Sequence, residues 1–301
     1  MATPREIKKR IGAVKNTKQI TSTMEMVSTA KSKKAVDRVH AAQPYAMKIQ
    51  ELIRSLESGG VSAKHPLLRK VETVKKVGIL AVAANRGLCG GFNNNIVKLC
   101  IERINYWKSQ NIETEVHLVG KKLISVFSFQ KVPFEKGYSH IQDSPTVENG
   151  LEFSDYFIRA FIDEKLDKVE VIHTSYKNSS AQKPVLESVL PISLDNQDES
   201  SHTHHHYNEV EQDNTVSNSI YEPNAEEIMA SLLPRAISTI FLQALLESVA
   251  AEHIARRIAM KNATDAASDM IKDLTREYNR VRQAKITQEL SEIVAGADAI
   301  S

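Results

Sequence analysis

The sequence predicts an α/β domain combined with a long antiparallel coiled coil. In this fold the N- and C-terminal helices pair, and the central part forms a Rossmann-like domain with a mostly parallel sheet. Three observations predict it. Both ends of the 301-residue chain are long and almost free of helix breakers. Apolar residues in both ends recur with the four-three spacing of a coiled coil. Between them, short strand-like runs alternate with helical patterns, which is typical of a parallel sheet.

The N-terminal segment, residues 1–58, is predicted to form one coiled-coil helix. Gly12 is the only helix breaker between Pro4 and Pro44. The four-three spacing begins with Ile7, Ile11 and Val14, continues one residue out of phase in Ile20, Met24 and Val27, and ends with Val39, Ala42, Ala46, Ile49, Ile53 and Leu56. A shift of phase locally rewinds a coiled coil without abolishing it.

The central segment, residues 74–195, is predicted to be the α/β domain. Strands are expected at 77–83, 115–119 and 168–173, with a less regular fourth strand at 185–194. Helices are expected at 96–109 and 147–164. This alternation favours a largely parallel sheet.

Residues 196–219 interrupt this pattern. The stretch 196–218 holds five acids, no Lys or Arg, and little to bury, so we expect a flexible insertion. Four histidines within it suggest metal binding as an alternative: His202, His204, His205 and His206. We expect no metal, because metal geometry needs ligands held by an ordered scaffold.

The C-terminal segment, residues 224–301, is predicted to be the second coiled-coil helix. The 61 residues between Pro234 and Gly296 contain neither Gly nor Pro. As one helix they would be about 90 Å long. No stretch reaches the roughly 18 apolar residues that span a bilayer. Two sets of apolar residues share a helix face: Met270, Leu274 and Val281, and then Ile286, Leu290, Ile293 and Ala297. Antiparallel pairing of the two ends is the simplest arrangement, although an ordinary helical bundle has the same pattern.

A glycine loop after the first strand raises the question of nucleotide binding. Gly87, Gly90 and Gly91 lie between a strand and a helix, but their spacing fits neither a Walker A loop nor a dinucleotide fingerprint. The only Gly-Lys pair, Gly120-Lys121, is not followed by Ser or Thr. The alternative is a tight turn that needs a positive φ. With two cysteines, the chain also lacks the thiols for a disulfide framework. We therefore expect no cofactor and no catalytic residue.

Polar composition sets two stretches of the helical ends apart. Residues 16–34 are dense in Thr and Ser, which are poor helix formers, and residues 282–287 place donors and acceptors in a packing run. Both are interpreted as surfaces that meet a changing polar partner, with an ordinary solvated helix face as the alternative. Residues 1–40 carry ten Lys or Arg against three acids, which favours an acidic partner. A nucleic-acid-binding helical protein is the alternative function, but the first 44 residues contain no Phe, Tyr or Trp on which bases would stack.

Several motifs together resemble the gamma subunit of the bacterial F-type ATP synthase. They are PREIKKRIGAVKNTKQITSTMEMVSTAK near the start, NRGLCGGFN in the middle, YEP at 221–223, and ARRIAMKNATDAASDMIKDLTREYNRVRQAKITQELSEIVAGADAI near the end. The resemblance covers nearly the whole chain. It implies a non-catalytic central-stalk rotor, which couples ring rotation driven by protons or sodium to nucleotide binding and release in a hexamer of three alpha and three beta subunits.

The resemblance also implies partners and contact residues. Met24, Arg256, Arg282, Gln283 and Thr287 are expected to contact the beta subunit. The implied partners are the alpha and beta subunits, the epsilon subunit and the ring of c subunits. No nucleic acid is expected, and membrane contact is expected only through the complex, on the cytoplasmic face of the bacterial inner membrane.

Two further positions, Tyr221 and Glu222, are expected from the same resemblance to face the c ring. The insertion at 196–219 departs from the usual bacterial pattern and contains no cysteine, so it cannot be a thiol switch.

Overall fold

A computed structural model describes residues 3–58, 65–69, 71–141, 143–178, 181–192 and 224–298. The chain forms two compact units, one made of Met1–Thr29 with Arg256–Ser301 and the other of Ala30–Ala255. The helices are α1 (Pro4–Ser58), α2 (Phe92–Ser109), α3 (Lys121–Gln130), α4 (Val147–Ile162) and α5 (Ala225–Asp298), with a 3-10 turn at Pro66–Leu68. The strands are β1 (Lys76–Val82), β2 (Glu113–Val119), β3 (Lys136–Tyr138), β4 (Lys168–Asn178) and β5 (Ala181–Leu190).

The larger unit contains a five-stranded sheet in the order β3-β2-β1-β4-β5. β1 pairs in parallel with both β2 and β4, and β2 pairs in parallel with β3. Only β5 is antiparallel, at the edge next to β4. The predicted mostly parallel sheet is therefore confirmed. Its less regular fourth strand is this edge strand, which carries Pro184, and proline is tolerated at a sheet edge.

The sheet is buried on both faces. Val77, Ile79 and Ala81 of β1 pack against α2 and α3, whereas Leu80 and Val82 join a second core formed by α4 and by parts of α1 and α5. This alternation follows from the twofold periodicity of a strand. Strands buried on both sides carry continuous apolar runs, as parallel strands do.

Within the larger unit, α1 and α5 run antiparallel. Ala35 and Val39 of α1 form a buried cluster with Leu246 and Ala250 of α5. Nearer its end, α1 buries Ile49, Ile53 and Leu56 in the core that includes the earlier α5 residues Met229, Leu233 and Ile237. Later residues of α1 thus pack against earlier residues of α5, which is the arrangement of an antiparallel pair. α5 is enclosed on all sides here, since no residue from 241 to 255 is exposed.

The smaller unit is the helical pair alone. Thr264 Oγ1 of α5 donates a hydrogen bond to Thr21 Oγ1 of α1 at 2.8 Å. The partly or fully buried stripe of α5 follows the four-three spacing at 260, 264, 267, 271, 274, 278 and 281, and the following residues up to 295 are exposed. Thr21 lies seventeen positions after Pro4, the start of α1, and Val281 lies seventeen positions after Thr264. Antiparallel pairing thus explains why burial on α5 ends there.

The predicted change of phase in α1 is wrong. Ile20 and Val27 are 60% and 51% exposed, whereas Thr21 and Ser28 are buried. The four-three spacing continues without a shift through polar residues: Thr21, Ser28 and Ser32 are buried, and Lys18 and Glu25 are half-buried. The expected position of Met270 on the packed face of α5 is wrong in the same way. Met270 is 52% exposed, and the neighbouring Ile271 is the half-buried residue.

One part of α5 departs from a sequence expectation about membranes. Within Glu226–Ala295 an 18-residue window reaches a mean hydropathy of 1.5, which is enough by length and composition to cross a bilayer. Half of that window is buried inside the protein. Phe241 and Leu245 are almost fully enclosed in the core beside the sheet. The window is therefore explained as a core helix.

Candidate functional site

The crevice at the carboxyl ends of the strands is the first place to look for a ligand. In open α/β sheets, ligands bind where the strand order reverses, and here that point lies between β1 and β4. α5 lies across these strand ends: Thr174 N of β4 donates to its Ser248 Oγ at 3.3 Å, and its Leu245, Val249 and Glu252 line a small cavity together with Val82 of β1 and Val119 of β2. The remaining cavity is about 20 Å³. That volume holds one water molecule and no nucleotide.

The glycine loop is a scaffold rather than a phosphate cradle. Gly90 has a φ of 59°, the positive value that the turn interpretation expected. Asn93 Oδ1 accepts a hydrogen bond from Ala84 N at 3.0 Å, and Asn85 Oδ1 accepts one from Lys121 N at 3.0 Å. The loop thus ties β1 to the helices that follow β1 and β2.

The same loop also packs against α5. Ala84, Cys89 and Phe92 form a small buried cluster with Ala251 of α5. Ala84, Cys89 and Phe92 therefore have apolar partners inside the protein, whereas Leu88 of the same loop is 64% exposed.

Two clusters of ionisable residues are built around buried side chains of the sheet. Glu170 of β4 is 1% exposed and accepts from Arg103 Nη2 at 2.6 Å and Nε at 2.8 Å. Trp107 Nε1 donates to the same carboxylate at 3.1 Å, and Arg103 stacks on the Trp107 ring. Each of these groups is paired within the protein, which indicates a structural role.

The second cluster surrounds His117 of β2. Its Nε2 lies 3.1 Å from Glu115 Oε1, which also accepts from Tyr156 Oη. Burial lowers the pKa of His117. Burial raises the pKa of Tyr138 to about 12. Among the described residues no group of three or more His, Cys, Asp or Glu is arranged to hold a metal ion.

Met24 lies in the smaller unit and is half-buried, at the margin of the stripe that α1 turns toward α5. Beside it on α1, Ile20, Met26 and Val27 are 60%, 63% and 51% exposed. The apolar side chains around Met24 are therefore available to a partner. The expected contact with the beta subunit stays a prediction.

The polar run near the end of α5 is also exposed. Arg282, Gln283 and Thr287 are all exposed, and the Arg282 guanidinium lies 6.0 Å from the Tyr278 ring centre. Thr287 Oγ1 donates to the Gln283 carbonyl oxygen at 3.0 Å, so this hydroxyl is partly satisfied within the helix. The same helix exposes four large apolar side chains: Ile286, Leu290, Ile293 and Val294.

Arg256 differs from the other expected contact residues, because it is buried, with 6% of its surface exposed. A partner would reach only a small part of its side chain. Tyr221 and Glu222 lie outside the described residues, as do the insertion at 196–219 and its histidines.

Sequence reasoning missed a set of buried polar side chains on α5: Gln243, Glu247, Ser248, Glu252 and His253. The signal in the sequence was weak but present. Polar residues stand at these positions inside an otherwise apolar stretch of helix, and buried polar groups need partners.

Comparisons with known proteins decide the family. A model of the ATP synthase family matches residues 3–300. The ATP synthase gamma chain of Leptospira biflexa is 51% identical over 301 residues, with all of both chains covered. The corresponding chain of Haemophilus influenzae is 38% identical over 300 residues, again with both chains fully covered.

The chain belongs to the ATP synthase gamma chain family.

Solved structures agree on the fold. A chain of the Euglena gracilis mitochondrial ATP synthase, solved as the OSCP/F1/c-ring part, matches with a TM-score of 0.64 at 17% identity, covering 99% of this chain and 94% of that one. A chain of the Tetrahymena thermophila mitochondrial ATP synthase, solved as the central stalk and c-ring, matches with a TM-score of 0.58 at 19% identity, covering 81% and 99%. As a gamma chain, the protein is a rotor subunit that is non-catalytic by itself. Nothing supports the nucleic-acid alternative.

Proposed function

We propose that the chain is the lopsided central shaft of an F-type ATP synthase, turned by an ion-driven ring of c subunits inside a hexamer of three alpha and three beta subunits. The observation that carries this proposal is the end of α5. It continues past Val281, where pairing with α1 stops, and exposes both polar and apolar side chains over residues 282–295. A helix with large exposed apolar residues needs a partner to cover them.

In this proposal, rotation is coupled to nucleotide binding because the shaft contacts the three beta subunits unequally. Three beta sites of one sequence differ in nucleotide affinity only if something touches each of them differently, and a partner shifts an equilibrium by its differential contact energy. Changing the ratio of two conformations of a beta site from 1:99 to 99:1 takes about 5.5 kcal/mol of differential contact energy. A shaft with different residues on each face supplies such a difference, and rotation presents each face to the three sites in turn.

The beta-subunit contacts are assigned to exposed positions. Arg282, Gln283 and Thr287 offer donors and acceptors to loops of the hexamer, and Met24 lies beside an exposed apolar surface. A guanidinium holds a carboxylate with two parallel hydrogen bonds, which suits Arg282 to an acidic loop. Arg256 contributes through the small part of its surface that remains exposed.

The basic start of α1 adds long-range attraction. Arg5, Lys8, Lys9 and Arg10 are exposed and make no ion pair within the described part of the chain. Acidic lobes of the beta subunits are the proposed counterpart. Reversing the charge of Lys8, Lys9 and Arg10 should weaken binding to the hexamer and reduce its salt dependence. Unchanged binding and salt dependence would exclude this role.

The α/β domain forms the foot of the shaft in this proposal. Tyr221 and Glu222 face the c ring, and the epsilon subunit binds nearby. The complex holds the chain at the cytoplasmic face of the bacterial inner membrane without direct insertion. Half of the most apolar window of α5 is buried inside the protein, with Phe241 and Leu245 in the core, which supports attachment through partners rather than a membrane span.

The test is a double alanine variant in the assembled complex. Arg282→Ala with Gln283→Ala should lower coupled ATP turnover while the free energy of unfolding of the chain stays unchanged, since both side chains are exposed. Arg159→Ala is the matched control, because it removes an exposed arginine from α4. Normal coupled turnover with the double variant would refute the assigned contacts.

A further inference from the structure

We propose that a polar joint on α5, formed by Glu247, Ser248 and His253, carries torque between the α/β domain and the terminal helices, with Asp143 as its positioning residue. The inference rests on the rotor function proposed above. All of these residues lie in the larger unit, Ala30–Ala255.

Asp143 holds the loop before α4 to both terminal helices. Lys31 Nζ of α1 donates to Asp143 Oδ2 at 2.5 Å, and His253 Nε2 of α5 lies 3.8 Å from the same oxygen. Arg38 Nη1 of α1 donates to Ser144 Oγ at 2.6 Å and to the Asp143 carbonyl oxygen at 3.4 Å. One short loop therefore connects the domain to α1 and α5 at the same point.

The charge environment favours the ionised form of Asp143. Burial alone would raise the pKa of this carboxyl, but the hydrogen bond and charge of Lys31 outweigh it, and the charges of His253 and Arg86 add to the lowering. The joint is therefore charge-assisted, and such hydrogen bonds are stronger than neutral ones.

On the other side of the joint, α5 takes the place of a missing strand. The pairing of β1 with β4 ends at Ala81 and Ile172. Beyond that point Thr174 N donates to Ser248 Oγ at 3.3 Å, and Tyr176 N donates to Glu247 Oε2 at 3.0 Å. These two amides belong to alternate residues, so they point to the same side of β4.

The acceptors on α5 are deeply enclosed. Glu247 and Ser248 are 2% and 3% exposed. Gln243 Nε2 donates to the second oxygen of Glu247 at 3.3 Å, and His173 Nε2 lies 3.7 Å from Oε2. Glu247 is thus fixed by its own helix as well as by β4. Its contacts with β4 cannot shift without exposing or orphaning a buried carboxylate.

Directional bonds make this joint different from the apolar core around it. Hydrophobic contact is non-directional, so an apolar helix face tolerates sliding and twisting. Hydrogen bonds weaken steeply when the donor angle falls below about 120°. Twisting α5 against the sheet therefore meets its main resistance at Glu247, Ser248 and Asp143.

The experiment uses the complete membrane-bound complex in inverted vesicles and measures ATP hydrolysis and ATP-driven ion pumping together. Asp143→Asn removes the charge and keeps the size of the side chain. Ion pumping per ATP hydrolysed should fall, while hydrolysis and the amount of assembled complex stay at the unmodified level. Exchanging the two charges, with Lys31→Asp and Asp143→Lys in one chain, should restore part of the pumping.

Asp163→Asn is the matched control. It removes an exposed carboxylate that, within the described part of the chain, forms an ion pair with Lys165 alone, and pumping should not change. Ser248→Ala is the second variant, in case Asp143→Asn prevents assembly. It removes the hydrogen-bond acceptor of Thr174 N and should also lower the ion pumping per ATP hydrolysed.

The inference would be overturned if Asp143→Asn and Ser248→Ala both left pumping per ATP unchanged. It would also be overturned if hydrolysis and pumping fell only in proportion to the assembled complex, because that is the result of a purely structural role. Absence of the unmodified chain from the active complex would instead contradict the rotor function, so the two failures are distinguishable.

Discussion

Removing the unpaired end of α5 should weaken binding to the hexamer strongly while it changes the stability of the chain only slightly. The perturbation is a truncation after Val281, which deletes the exposed run 282–295 and the residues that follow it. Four large apolar side chains are lost, Ile286, Leu290, Ile293 and Val294, which are 48%, 58%, 68% and 59% exposed. Since they are exposed, the isolated chain should lose less than about 1 kcal/mol of its free energy of unfolding.

The effect on binding should be much larger. Full burial of such a side chain contributes about 1.5–3 kcal/mol. With about half of each side chain still to be covered, the four together contribute about 3–6 kcal/mol when a partner encloses them. That corresponds to a loss of about 10² to 10⁴ in affinity for the hexamer.

The assay is titration of the alpha/beta hexamer with the full-length and truncated chains, alongside thermal unfolding of each chain alone. A full-length variant with Gln at the four apolar positions is the control, because it keeps the helix length while removing the apolar surface. It should bind nearly as weakly as the truncated chain. Ile7→Ala, at a position 1% exposed, should instead destabilise the chain by about 2–5 kcal/mol. Equal affinity of the full-length and truncated chains would refute the reasoning.

Three further predictions concern the chain itself. Arg103→Ala should destabilise the larger unit by about 3–5 kcal/mol in urea unfolding, because it leaves the buried Glu170 carboxylate without its bidentate partner; replacing both residues by Met should cost much less, and equal losses would contradict this. The pKa of Asp143 is lowered in the folded chain. Its ionised carboxylate therefore adds to the free energy of unfolding above the ordinary Asp pKa of about 3.9, and this contribution is lost as pH falls through the lowered pKa. The stability difference between the unmodified chain and Asp143→Asn should therefore be larger at pH near 7 than below about pH 3, and a difference independent of pH would exclude the ion pair. Burial raises the pKa of Cys100 to about 12, so a thiol reagent at pH near 8 should label this cysteine only on unfolding; rapid labelling of the folded chain would show that the site opens.

The main elements were predictable because their periodicities are strong. The apolar runs of β1, β2 and β4 and the long stretches without breakers in α1 and α5 gave clear patterns. β3 was missed because it has three residues, and β-pairing rather than composition defines it. α3 was missed because it begins at Lys121 directly after a strand and has no side-chain cap.

The fine register of the helical pair was not predictable from hydrophobicity. Scoring apolar residues selected Ile20 and Val27 of α1, which the structure exposes, over Thr21 and Ser28, which it buries. A buried position between close helices selects for size, and small polar residues satisfy their hydroxyls on their own helix. Thr21 Oγ1 does this by donating to the Lys18 carbonyl oxygen at 3.0 Å.

The polar joint could not be predicted from sequence for a different reason. Glu247 and Ser248 acquire their roles from the amides of β4 that β1 leaves unpaired, and Asp143 acquires its role from Lys31, more than a hundred residues away in sequence. Only the three-dimensional arrangement brings these groups together. The contacts expected from family resemblance at Arg282 and Gln283 stay predictions, since they depend on a partner.

The most direct measurement is the rotation of this chain inside its complex. Phe129 of α3 is 88% exposed, so Phe129→Cys provides a position for a visible probe while both native cysteines are buried. With the alpha/beta hexamer fixed to a surface and ATP added, the probe should turn in one direction and pause at three evenly spaced angles. A probe that stays still while the same complexes hydrolyse ATP would contradict the account.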